Sequence, residues 1–163
     1  MAKPSDIRPV GAALHFLPIR TRMPLKFGPE VTTEVTCARV RLTVEDRQGR
    51  RAVGWGETPL SVQWVWPSTQ PYEARHGVLK RLCARLVEGW AHLDAWGHPL
   101  EVGHAFTETV LPRYHEETQA DARASAGSGL PWLAALVTSS PFDLALHDAF
   151  GRLLDRPTYQ TYT

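Results

Sequence analysis

Apolar and polar positions alternate most regularly between Thr36 and Glu57, TCARVRLTVEDRQGRRAVGWGE. Thr36, Ala38, Val40, Leu42 and Val44 fall on one face of an extended strand, and Arg39, Arg41, Thr43 and Glu45 fall on the other. The pattern predicts a strand with one buried and one wet face. Asp46-Arg47-Gln48-Gly49 follows, where Asp can bond its own backbone and Gly can take positive φ, so the chain reverses into a β-hairpin. The return strand carries Gly54-Trp55-Gly56-Glu57-Thr58, two glycines around a large ring with a carboxylate where the strand should end. Such glycines let another element approach closely. Two readings stand: a bulge or sheet crossing that packs Trp55, or a site with Glu57 at its mouth.

Val10–Ile19 reads as a first strand that pairs with the hairpin, giving three antiparallel strands with one face free to receive helices. The connection Thr21–Thr33 holds prolines, a glycine and exposed-looking Arg22, Lys26 and Phe27. It is either an ordinary solvated loop or a segment able to close over an anionic ligand. After the hairpin, Pro59–Pro71 carries Trp64 and Trp66, and at least one of them is expected to pack between sheet and helix. A helix is predicted from about Pro71, capped by Ser68 or Thr69, with Ala74, Val78, Leu82 and Leu86 on its apolar face and Gly89 as its stop.

A second helix is predicted over Pro99–Leu111, ended by Pro112, and a frayed helical stretch running into a flexible connection over Arg113–Gly129. His115-Glu116-Glu117 is read as a solvated face, because adjacent helical residues do not face one another. In Leu130–Leu154, Trp132, Leu133, Leu136 and Val137 make a short helix, and Ser139-Ser140-Pro141 restarts it with a cap. The restarted helix has a broad apolar side in Phe142, Ala145, Leu146, Ala149, Phe150, Leu153 and Leu154. Asp143 and His147 share a face on it, and are read as a local hydrogen-bonded pair rather than an acid-base set.

Composition narrows the function. Among 163 residues, 18 Lys and Arg stand against 17 Asp and Glu, so no broad field is available for nucleic acid or an anionic membrane. No stretch has the length of a membrane span and the first residues lack the apolar core of a signal peptide, so a cytoplasmic location is expected. Cys37 and Cys83 read as buried thiols, and the seven histidines show no metal-ligand spacing.

The upstream loop Arg20-Thr21-Arg22-Met23-Pro24-Leu25-Lys26-Phe27-Gly28, the Gly-Trp-Gly-Glu-Thr run and Ser140–Leu154 followed by Arg156-Pro157 and Tyr159 come in an order that resembles the amino-terminal capping domain of the enolase superfamily, mandelate racemase and muconate-lactonizing branch. The resemblance covers Val10 to Thr163. It implies an α+β fold, a three-stranded antiparallel sheet with a helical bundle, over residues 1–157, with 158–163 beginning the connection to a β/α barrel. Asp155 stands where the family usually has a glycine, and Asp can enter the same left-handed region.

The family's chemistry, proton abstraction beside a carboxylate with the enediolate held on magnesium, belongs to barrel residues. This chain ends where that barrel should begin, so it is expected to be catalytically incomplete as given, with no catalytic residue and no metal ligand of its own. Magnesium is expected only in a full-length parent, which is also expected to be a homo-oligomer. The positions carried over from the resemblance are the closing loops: Arg22, Lys26 and Phe27 before the hairpin, and Glu57 and Trp64 after it. They imply the substrate-selecting part of a lyase or isomerase acting on a small carboxylate such as a sugar acid. The alternative is a free-standing α+β module that binds a ligand or partner without catalysis.

Overall fold

The computed structural model describes residues 3, 5–27 and 30–162, with the side chains of Phe27 and Glu30 outside that set. Three strands, β1 (Ile7–Phe27), β2 (Glu30–Asp46) and β3 (Arg51–Pro59), form an antiparallel sheet in the order β1-β2-β3. The Asp46 turn forms as its residues demand. The Asp46 carboxylate accepts from the backbone N–H of Gln48 and Arg50, both at 2.9 Å, and Gly49 takes φ 79°. Ala38, Val40, Leu42 and Val44 are fully buried on the predicted face, each contributing roughly 1.5–3 kcal/mol of transfer free energy except the smaller alanine.

Strands β1 and β2 run well past the expected Val10–Ile19. After a register shift between Arg20 and Leu25 they pair again at Leu25–Thr32, Lys26–Val31 and Phe27–Glu30. The expected loop is therefore a two-stranded ribbon, because backbone pairing resumes beyond the irregularity around Pro24. β1 lies at the sheet edge and carries Pro9, Pro18 and Pro24 along its length.

The helices cover one face of the sheet: α1 (Val62–Val65), α2 (Tyr72–Ala91), α3 (Pro99–Ala105), α4 (Leu111–Ala126) and α5 (Trp132–Leu153). α2 starts behind Pro71 without a side-chain cap, while Ser68 accepts from the Gln70 N–H instead of from the helix. Nor does Gly89 end it. That glycine is buried where a Cβ would lie 2.8 Å from the Tyr114 ring, so it serves the approach of α4.

Two prolines expected to break helices do not. Between α3 and α4 the residues Phe106–Val110 form a single π turn, in which the Leu111 N–H donates to the Phe106 carbonyl and Thr109 Oγ1 donates to the Ala105 carbonyl at 2.6 Å. The wider turn shifts the ladder ahead of Pro112, and helix continues to a left-handed stop at Gly127, φ 67°. α4 is anchored rather than frayed: Arg81 and Arg85 of α2 reach Asp121 and Glu117, and Gln119 binds the backbone of Leu130 through both amide atoms. Likewise α5 is one helix through Pro141. The missing proline N–H would have met the Val137 carbonyl, and Ser140 Oγ donates to that carbonyl at 2.8 Å in its place.

α5 lies on β3 at backbone distance. A Cβ on Gly54 would sit 2.1 Å from the Ala145 carbonyl oxygen, and one on Gly56 2.1 Å from that of Pro141. The element that the two glycines admit is thus this helix, whose facing residues Pro141, Ala145 and Ala149 are small. Thr58 and Ser140 hydroxyls bond at 2.7 Å, and Asp148 accepts the Trp55 N–H at 2.8 Å, closing part of the β3 edge. Past the helix, Asp155 takes φ 52°, as its position requires.

Candidate functional site

Strand lengths decide where the candidate residues go. β3 ends at Pro59, opposite Cys37, while the β1–β2 ribbon continues from the Pro18–Thr36 pair outward. The chain leaving β3 makes one more bond to β2, the Leu60 N–H donating to the Thr36 carbonyl at 2.8 Å, and enters α1 directly. The ribbon with Arg22 and Lys26, the end of β3 with Glu57, and α1 with Trp64 accordingly share one end of the sheet. Arg22 and Lys26 are exposed, and Trp64 is 55% exposed. Trp66 is the buried member of the tryptophan pair, its indole N–H donating to Ser128 Oγ at 3.2 Å. The backbone of Phe27 ends β1, and its side chain lies outside the described residues.

Glu57 is not alone at the mouth of the site. Its cross-strand neighbour is Arg39, whose Nε donates to Glu57 Oε2 at 2.7 Å on the helix-free face of the sheet. Beside the pair, burial and then the Glu57 carboxylate push the Cys37 thiol above its ordinary value. Trp55, 44% exposed, stands opposite Arg41 on the same face and stacks on His15 with ring centroids 6.4 Å apart. Sequence reasoning missed Arg39, yet the signal was there. A hairpin that turns at Asp46–Gly49 with Glu45 opposite Arg51 sets Arg39 opposite Glu57 by counting outward.

Asp143 and His147 approach to 3.8 Å, and His147 Nδ1 is hydrogen-bonded to the Tyr162 hydroxyl at 2.7 Å. Burial raises the Asp143 carboxyl above its usual range and lowers the His147 imidazole below its own, each group opposing the shift of the other. α5 runs antiparallel to β3, since Gly54 faces Ala149 and Gly56 faces Pro141, so His147 lies away from the end where the ribbon projects. Through its hydrogen bond His147 ties Tyr162 to α5. Among the described residues no group of three His, Cys, Asp or Glu side chains is placed to hold a metal, and no helix is long and apolar enough to cross a membrane.

No protein-family model matches the chain, nor does any curated protein. Solved structures do. Dipeptide epimerase from Enterococcus faecalis V583, complexed with Mg and the dipeptide L-Leu-L-Tyr, aligns over 94% of this chain and 34% of its own, at 15% identity and TM-score 0.52. L-talarate/galactarate dehydratase from Salmonella typhimurium LT2 aligns over 95% and 33%, at 14% identity and TM-score 0.50. A mandelate racemase/muconate lactonizing enzyme-like protein from Rubrobacter xylanophilus aligns over 94% and 33%, at 18% identity and TM-score 0.42. The chain thus spans about a third of the length of the structures it matches. Identities this low speak for architecture alone. The chain has the fold of the matching third of the dipeptide epimerase and of L-talarate/galactarate dehydratase.

Proposed function

We propose that the chain is the capping, substrate-selecting part of a magnesium-dependent lyase or isomerase acting on a small carboxylate such as a sugar acid. Residues 1–157 are the cap and 158–163 lead toward a β/α barrel that supplies proton transfer and holds the metal. The observation that carries this reading is the gathering of ribbon, β3 end and α1 at one end of the sheet. Segments so placed can close together over a ligand bound beneath them, excluding water and choosing the substrate. Arg22 and Lys26 supply cations for an anionic substrate, Phe27 and Trp64 supply apolar cover, and Glu57 selects at the rim.

The test is to read the coding sequence beyond Thr163 and to assay its full product on sugar acids with magnesium. Arg22→Ala, Lys26→Ala and Trp64→Ala are expected to raise KM about tenfold while kcat changes little, the signature of lost substrate binding. A product without barrel strands ending in Asp or Glu overturns the proposal in favour of a free-standing binding module. The chain alone is expected to bind no magnesium tightly, which calorimetry checks.

A further inference from the structure

The helix-free face of the sheet carries an open hollow of about 380 Å³ lined by Arg39, Trp55, Gly56 and Glu57. Its volume falls within the range of small-molecule sites, roughly 300–1,000 Å³. The chemistry of the lining is specific. Glu57 occupies Arg39 through Nε, which fixes the guanidinium plane and leaves both terminal nitrogens without a protein partner among the described residues. A guanidinium held in this way presents a planar two-donor fork that matches a carboxylate.

Charge on this face also favours an anion. Glu57 cancels Arg39, while Arg41, two residues along the same face and opposite Trp55, has no acidic partner among the described residues. Trp55 supplies a large exposed ring, braced on one side by His15. An anion with a flat apolar body uses all of these groups at once.

We propose that this hollow binds a small aromatic carboxylate, with its carboxylate on the terminal nitrogens of Arg39 and its ring against Trp55. Glu57 is then a positioning residue that holds the fork. The site goes beyond the closing segments described above: Glu57 is the one residue the two readings share, and neither the ribbon nor Trp64 takes part.

The experiment uses the chain itself with benzoate as probe, followed through the tryptophan indole N–H resonances, that of Trp55 being identified by its loss in Trp55→Phe. Benzoate is expected to shift the Trp55 signal saturably in the millimolar range, leaving the other five of the six indoles in place. Acetate, lacking the ring, and benzyl alcohol, lacking the charge, are each expected to bind at least about tenfold more weakly. Arg39→Gln is expected to weaken benzoate by about tenfold, and Glu57→Gln by less, with the indole spectrum otherwise unchanged. The proposal is overturned by a shift that stays linear in benzoate, by one centred on another tryptophan, or by undiminished binding to Arg39→Gln. Arg39 and Trp55 lie outside the closing segments, so benzoate binding to their variants and KM for Arg22→Ala, Lys26→Ala and Trp64→Ala fail separately.

Discussion

The seam between α5 and β3 and the ribbon between Arg20 and Thr33 belong to one sheet, yet they are built by opposite rules. In the seam, small residues face glycines and backbone meets backbone, so there is no room for one added carbon. In the ribbon, Met23, Leu25 and Val31 are 65%, 50% and 59% exposed, and side chains can change without disturbing a neighbour. The core therefore stops where β3 stops, and the two longer strands carry exposed residues past it. Buried and exposed stretches are separated along the length of β1 and β2.

The largest expected effect strikes the seam. Gly54→Ala and Gly56→Ala each force a Cβ onto a backbone carbonyl and should destabilise by about 3 kcal/mol or more, at the upper end of overpacking costs. Thermal denaturation should show a fall of roughly 6 °C or more for a domain of this size. A loss within 1 °C would falsify the close seam. Ser140→Ala should cost about 1–2 kcal/mol, since it strips the Val137 carbonyl of the hydroxyl that replaces the proline N–H, and it also removes the bond to Thr58. Urea midpoints for Ser140→Ala alone and combined with Thr58→Ala separate these two contributions.

A smaller effect comes from pH. Burial holds His147 below its ordinary value, so just below that value the unfolded chain binds more protons than the folded one and stability falls with pH. Asp143 works in the other sense: its raised carboxyl keeps a proton longer in the folded chain, which gains stability as pH drops toward the normal carboxylate range. The thermal midpoint should consequently decline from neutrality into mild acid, and His147→Gln should flatten the decline. An unflattened curve would assign it to His76, which burial lowers in the same way. The smallest effect belongs to the ribbon, where Arg22→Ala and Met23→Ala should shift stability by no more than about 0.5 kcal/mol. A shift above 2 kcal/mol in the denaturant midpoint would mean that the ribbon belongs to the core.

Much of the fold could be read from residues whose preference is local. The alternation in β2, the Asp46 turn and the apolar side of α5 all express backbone or burial demands carried by the residue itself, whereas the left-handed Asp155 is expected from the family resemblance. What could not be read depends on partners. Pro112 and Pro141 look like helix breakers until a π turn and a serine hydroxyl are seen to satisfy the freed carbonyls. Gly89 looks like a stop until Tyr114 is placed against it, and the Thr21–Thr33 segment looks like a loop until pairing is seen to resume beyond Pro24. At the candidate site Glu57 stands where a strand is expected to end, Trp64 is carried over from the family resemblance, and the clamp on Arg39 comes into view once the hairpin register is counted outward from the turn.

The prolines of β1 have a consequence for the molecule in solution. An edge strand 21 residues long is a template on which another chain could add itself, row upon row, wherever donors and acceptors stand free. Pro9, Pro18 and Pro24 remove a donor in each third of that edge, so a foreign strand laid along it finds no long unbroken ladder. The ribbon can remain extended and bare without seeding fibrils.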